Sequence, residues 1–205
     1  MRRLIAILFL AVATWAQAAP SADDLAARLN QRLEQKPVLR AEFVQEKQMA
    51  AFKKPLVTRG RLVFVRGQGV LWKIESPLKL TYVLTDDRIV EIGEDGNAQA
   101  RTAQDLPGLA QVGRVFRALL GAQTGVLKDI FAIAADGTPD AWRLALTPKP
   151  GPVSQYMRQI RLAGGRHVDR IRIEEANGDS TTITFRNTAE DDVPSAEERA
   201  RFGSR

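Results

Sequence analysis

Apolar and polar residues alternate with a period of two in about nine segments of this chain. Successive side chains of a β-strand point to opposite faces, so this period predicts strands with one apolar face. Short turns such as Gly67-Gln68-Gly69 and Asn177-Gly178 link neighbouring segments. Strands joined in this way predict an antiparallel meander. The segments are 40–46, 56–66, 70–75, 79–84, 88–92, 142–146, 157–162, 168–174 and 181–186.

Two stretches have a helical period instead. Residues 21–35 predict an amphipathic helix that begins at Ser21 and is ended by Pro37. A second helical pattern interrupts the strands, with apolar residues at Val112, Val115, Phe116, Leu119 and Leu120. The order of helix, five strands, helical insert and four strands predicts an α+β fold. Residues 93–104 are predicted to be irregular, and the tail from Thr188 to lie on the surface or fray.

One face of the first strands is unusually apolar and aromatic, so the helices are expected to cover a curved sheet as a lid. Two interpretations remain open, a filled core and a cavity for a ligand. Arg66 is predicted on the same face and needs hydrogen-bond partners there, unless its position at a strand end lets it reach water. The apolar residues of this face are Phe43, Leu62, Phe64, Val70, Trp72, Ile74, Tyr82 and Leu84.

The N-terminus has the pattern of a cleaved secretory signal. Two arginines follow Met1, an unbroken apolar run covers residues 4–13, and Ala16-Gln17-Ala18 forms a small-residue cleavage site. The run is shorter than the roughly 20 residues that span a bilayer. We therefore expect a signal peptide at 1–18 and a single exported domain at 19–205. The chain has no cysteine, which excludes disulfides and a lipid anchor on an N-terminal cysteine.

The residue content argues against several classes of function. The net charge is +6, but the basic residues are scattered along strands and not clustered with aromatics, so nucleic acid is not an expected partner. His167 is the only histidine and is interpreted as a surface residue. No serine has a nucleophile-elbow pattern around it. One histidine without cysteine makes a metal site improbable. The sequence thus predicts neither an enzyme nor a cofactor.

The stretch from Gly60 to Pro77 carries the most specific motif. It reads GRLVFVRGQGVLWKIESP, with an arginine six residues after the glycine, a tryptophan six residues later and a proline five residues further on. Together with Phe43-Val44-Gln45, the opening helix and the segment at Leu146-Thr147-Pro148-Lys149, it resembles the periplasmic outer-membrane lipoprotein carriers, the LolA-like family. The resemblance covers nearly all of residues 19–205.

This resemblance implies a half-barrel, an unclosed antiparallel β-barrel with a helical lid over a hydrophobic cavity. The eight apolar residues of the sheet face would line the cavity, the 112–120 segment would form the lid, and Arg66 would hold the lid closed through backbone carbonyls. The cargo would be an acylated lipoprotein, taken from an inner-membrane transporter and passed to an outer-membrane acceptor by a periplasmic monomer. The alternative is a carrier or adaptor for another lipid, a glycolipid or pigment export, without lipoprotein transport.

Overall fold

The computed structural model describes residues 36–85, 88–101 and 124–203. The signal sequence at 1–18, the opening helix at 21–35 and the lid residues Val112, Val115, Phe116, Leu119 and Leu120 lie outside these residues. Their predicted roles therefore stay predictions.

The described residues form one antiparallel sheet of eleven strands in the order β6-β5-β4-β3-β2-β1-β11-β10-β9-β8-β7. The edge strands β6 and β7 each have one neighbour, so the sheet is not closed. This confirms the predicted unclosed antiparallel architecture. The strands are β1 Val38–Gln48, β2 Leu56–Val65, β3 Gly69–Ser76, β4 Leu80–Leu84, β5 Ile89–Ile92, β6 Ala98–Arg101, β7 Phe131–Thr138, β8 Ala141–Pro148, β9 Met157–Gly164, β10 Val168–Glu175 and β11 Ser180–Asp191.

Two of these strands were not predicted from the sequence. β6 lies inside the stretch predicted to be irregular, because Ala-Gln-Ala-Arg has little strand propensity and is ordered by pairing with β5. Residues 126–131 form a short, mostly apolar segment, which is divided between a helix, α1 (Thr124–Ile130), and the start of β7. β7 is rich in alanine, which hides its alternation, and it is held by its pairing with β8.

The strand β1 joins the two halves of the sheet. It pairs with β2 on one side and with β11 on the other, along almost its whole length. The register shifts between Arg40 and Glu42 on the β11 side, and between Arg59 and Gly60 where β2 meets β3. Such bulges bend a strand and increase the local twist, which curves the sheet.

The two faces of the sheet differ in character. The inner face carries a large apolar cluster to which both halves of the sheet contribute, from Phe43 in β1 to Leu146 in β8 and Ile160 in β9. The outer face carries mostly charged side chains and one small buried cluster of Leu71, Val83, Val90 and Ile92. The inner cluster is therefore the main core of the domain.

The C-terminal tail lies on the surface, one of the two predicted alternatives, and it is ordered and not frayed. β11 continues to Asp191, and a helix, α2 (Ala196–Gly203), follows it. Ser195 and Glu198 form a capping box: the Glu198 N–H donates to Ser195 Oγ at 3.2 Å, and the Ser195 N–H donates to Glu198 Oε2 at 2.7 Å. Phe202 packs against the small outer cluster. The Ser195-to-Glu198 spacing is readable in the sequence.

A partly buried ion pair fixes α2 to the sheet. Arg40 Nε and Nη2 donate to the two carboxylate oxygens of Glu198 at 2.7 and 2.6 Å. The Glu198 side chain is only 13% exposed. The hydrogen bond from Arg40 and the Ser195 backbone N–H lower the pKa of Glu198 from its ordinary value, against the opposing effect of burial.

We predict that Glu198→Gln lowers the free energy of unfolding by about 1–3 kcal/mol at neutral pH, because the carboxylate that accepts both Arg40 hydrogen bonds becomes a neutral amide. The folded-state pKa of Glu198 is depressed, so its contribution is fully present above the ordinary glutamate pKa and is lost as pH falls through the folded value. Urea unfolding of wild type and variant at neutral and acid pH measures this. The gap between them should shrink in acid.

Glu197→Gln is the matched control, since Glu197 lies in the same helical turn and is exposed. An equal loss of stability in both variants, or a gap that does not depend on pH, would contradict the role given to the ion pair.

Candidate functional site on the inner face

All eight apolar residues predicted from the sequence to share a face lie together in the inner cluster. Five are buried and three are partly buried. The buried ones are Phe43, Leu62, Phe64, Val70 and Trp72, and the partly buried ones are Ile74, Tyr82 and Leu84. They come from β1, β2, β3 and β4, where neighbouring inward positions are paired across strands, as Leu62 is with Trp72 and Trp72 with Tyr82.

Three aromatic rings form the centre of this part of the face. The rings of Phe43 and Trp72 are stacked with centroids 3.8 Å apart, and Phe185 meets Trp72 edge-on at 6.4 Å. Aromatic pairs of this kind add about 0.5–1.5 kcal/mol beyond the area they bury. Phe185 was missed in the sequence analysis because it joins the site only through the pairing of β11 with β1, where it lies opposite Phe43.

Gly60 makes the stack possible. It lies opposite Phe43 in the β1–β2 pairing. A Cβ at this position would lie 1.9 Å from the Lys73 carbonyl oxygen and 2.9 Å from Phe43 Cζ. The glycine is therefore required by close approach of backbone and ring, so that the Phe43 side chain can lie across it toward Trp72.

The second half of the sheet completes the inner face with aliphatic side chains and one further tryptophan. Trp142 is 1% exposed, and its Nε1 donates to the Gly165 carbonyl at 2.7 Å. Leu127 of α1 is also buried in the cluster, so this helix covers part of the inner face. The alternation in β8, β9 and β10 predicted these strands, but the sequence analysis assigned none of their residues to the site.

Arg66 lies in the turn directly after β2 and not within the strand. Its backbone N–H donates to the Pro37 carbonyl at 2.8 Å, and its Nη2 makes a long contact of 3.5 Å with the Lys36 carbonyl. Both acceptors are backbone carbonyls of the segment that leads into β1. The arginine is half-buried, so it does not extend freely into water.

Tyr82 brings a hydroxyl group to the edge of the inner face. Burial raises the pKa of Tyr82 above its ordinary value, and Glu91, its cross-strand partner, raises it further. The hydroxyl therefore stays neutral at physiological pH and acts as a hydrogen-bonding group without charge.

His167 is less exposed than the sequence analysis expected. Its side chain is 14% exposed, and its Nδ1 lies 3.5 Å from Glu190 Oε1. Strand β11 extends past Arg186, where it was predicted to end, and brings Glu190 beside His167. His167 also borders a small inner-face pocket of about 10 Å³ with Leu39, Leu62 and Phe185. Among residues 36–85, 88–101 and 124–203, no three or more His, Asp or Glu side chains are grouped as metal ligands would be.

The fold and the site together define a class of protein, one built on a curved, unclosed antiparallel sheet whose concave side is apolar and aromatic. The sequence model of the family described as outer membrane lipoprotein carrier protein LolA-like matches residues 17–201. The chain belongs to this family.

The solved structures that match this chain have low sequence identity to it. A LolA superfamily protein from Nitrosomonas europaea is 11% identical, with 86% of this chain and 96% of that chain covered and a TM-score of 0.48. The Pseudomonas aeruginosa MucA/MucB complex is 15% identical, with 89% of this chain and 60% of that chain covered and a TM-score of 0.49. A DUF1329 family protein from Desulfovibrio piger is 14% identical, with 84% of this chain and 92% of that chain covered and a TM-score of 0.43. No curated protein matches the chain significantly.

In the part of the chain that the structure describes, no helix has the length and apolar character needed to cross a membrane.

We predict that Gly60→Ala disrupts the aromatic stack and lowers the free energy of unfolding by about 1–3 kcal/mol, because the new methyl group meets a backbone carbonyl that cannot swing away. Near-ultraviolet circular dichroism reports the Trp72 environment, and urea unfolding reports stability. Gly125→Ala is the control, since a Cβ at that position meets nothing within 4 Å. A Gly60→Ala protein with the wild-type spectrum and stability would refute the close approach.

Proposed function

We propose that this protein is a periplasmic carrier that shields the acyl chains of a lipoprotein, or of a related lipid, on its inner face and carries it from the inner membrane toward the outer membrane. The observation that carries the proposal is the continuous apolar inner face, with the Phe43, Trp72 and Phe185 rings at its centre. Membership of the lipoprotein-carrier-like family supports the same function. The signal sequence expected at 1–18 would supply the compartment.

The size of the hydrophobic penalty explains why such a carrier is needed. Exposing an acyl chain to water costs about 0.8 kcal/mol for each methylene. Exposing a triacylated anchor with on the order of 45 methylenes would cost roughly 36 kcal/mol as an upper bound. An anchor therefore does not cross an aqueous compartment unaided, whereas an apolar face that buries it offsets most of the penalty.

A carrier must also release its cargo. We assign Arg66 to this step as a latch, with the covering residues at 112–120 as the lid and the eight predicted side chains as the lining of the cavity. The contacts of Arg66 with the carbonyls of Lys36 and Pro37 support the assignment, because they tie the turn after β2 to the segment that follows the predicted opening helix. Hydrogen bonds from a charged donor stabilise by about 1.5–3 kcal/mol each, which permits reversible opening.

Native mass spectrometry of the protein isolated from cells tests the carrier function. We expect one lipid or lipoprotein bound to each protein molecule, and transfer of that cargo to acceptor membranes on mixing. An adaptor that only recognises lipid would show binding without transfer. Absence of bound lipid in every preparation would refute the proposal.

We predict that Arg66→Leu increases lipid retention roughly tenfold, because loss of the latch favours the open, cargo-binding state. Native mass spectrometry measures the bound fraction, and hydrogen exchange of the amides near Lys36 and Pro37 measures closure. Arg59→Leu is the matched control: it makes the same change on β2, at an exposed position. Unchanged retention together with unchanged exchange in Arg66→Leu would exclude the latch.

A further inference from the structure

Several loops meet at one end of the sheet. In an antiparallel order, the turn after β1 lies at the same end as the turns after β3, β5, β8 and β10, because these strands all run in one direction. We call this the loop end and define it by residues 49–55, 77–79, 93–97, 149–156 and 176–179. The turn that carries Arg66 lies at the opposite end.

Exposed apolar side chains are concentrated at the loop end. Among the described residues, the large hydrophobic side chains that stay exposed are Phe52 (60%), Leu56 (49%), Leu78 (75%), Tyr156 (59%) and Val193 (60%). All but Val193, which follows β11 at the other end, lie in or directly beside the loop-end segments. Single exposed apolar residues are ordinary, but their collection at one end marks an interaction surface.

Hydrogen bonds hold these loops in place. The carbonyl of Phe52 accepts from Gln48 Nε2 at 2.8 Å, and its N–H donates to Met49. The Ala50 N–H donates to Asp179 Oδ1 at 2.9 Å, which ties the 49–55 loop to the 176–179 loop. The Ala176 N–H donates to the Tyr156 carbonyl at 3.1 Å, which ties in the third loop. Phe52 and Tyr156 are thus presented on a fixed frame, so binding through them needs little further ordering.

Basic residues lie between the apolar ones. Lys53 and Lys54 are exposed and separate Phe52 from Leu56 in sequence, and the 49–55 loop contains no acidic residue. Lys79, beside Leu78, is exposed but pairs with Glu94 of the 93–97 turn at 2.8 Å, so it adds no net charge and the positive charge that matters here is that of Lys53 and Lys54. Lysines next to exposed apolar side chains suit an interface whose surface is anionic and whose interior is apolar.

We propose that the loop end docks on the surface of an anionic phospholipid membrane. The apolar side chains would enter the acyl boundary while Lys53 and Lys54 meet lipid phosphates. A protein hot spot fills one shaped pocket, whereas here the apolar groups sit on separate loops with lysines between them, which matches a planar surface. The inference goes beyond cargo binding, because the four exposed apolar side chains and the two lysines do not belong to the inner cluster.

Vesicle flotation tests the docking surface. The protein is used as isolated from cells, with its N-terminus read by mass spectrometry, since a retained apolar run at 4–13 would itself bind lipid. Vesicles of phosphatidylethanolamine with about one quarter phosphatidylglycerol are compared with pure phosphatidylcholine vesicles. We expect binding to the anionic vesicles, weakened about tenfold by Phe52→Ser with Leu78→Ser and similarly by Lys53→Glu with Lys54→Glu.

Matched controls separate a docking surface from general stickiness and net charge. Val193→Ser removes an equally exposed apolar side chain from the other end, and Lys73→Glu with Arg170→Glu makes the same change of charge on the outer face. Both should bind like wild type. Failure of the wild type to bind anionic vesicles, equal binding to neutral ones, or equal weakening by the controls would overturn the proposal and leave the loop end to a protein partner.

An acyl-chain probe titrated into the same samples keeps this proposal apart from the carrier function. Loop-end variants that lose vesicle binding but keep the probe affinity of wild type support docking as a separate property. If the wild type binds the probe but no vesicle, the docking proposal is refuted and the carrier function is not. If it binds vesicles but not the probe, the carrier function is refuted and docking is not.

Discussion

The pairing of β1 with both β2 and β11 is the constraint on which the rest of the structure depends. The strands β1 to β6 form one meander and β7 to β11 another. Within the described residues, β1 joins the meanders into one sheet, through ten paired positions with β2 and nearly as continuous a ladder with β11. The inner cluster spans both meanders, so without this strand neither half could bury its apolar face.

This dependence explains which parts of the structure were predictable. The alternation of single strands and the turns between neighbours are local properties, and the positions of β2 to β5 and β8 to β10 followed from them. The closure of β11 onto β1 joins residues that are far apart in sequence, and no local pattern encodes it. Phe185 entered the site through that closure, and Glu190 came to lie beside His167 through the extension of β11. Sequence reasoning did not place these two residues.

The tail shows a different limit. Its polar composition predicted a tail that lies on the surface or frays, and a capping box, Phe202 and the Arg40–Glu198 ion pair order it on the surface. Phe202 covers a cluster that would otherwise leave Leu71 and Val83 under-packed on the outer face, and Arg40 holds Glu198 with two short hydrogen bonds. Arg40 projects outward from β1, the strand whose inner side carries Phe43. One strand therefore organises both faces of the sheet.

The position of Arg66 would let the proposed latch open while the sheet stays intact. The bond from its backbone N–H to Pro37 continues the β1–β2 ladder by one step beyond the pair of Val38 and Val65. The guanidinium reaches one residue further, to Lys36, outside the ladder. Release of the side-chain contact would leave this backbone bond and every strand pair in place. Because sheet pairing is cooperative and the side-chain contact is not part of it, opening of the proposed latch would involve only the energy of that contact and not that of the fold.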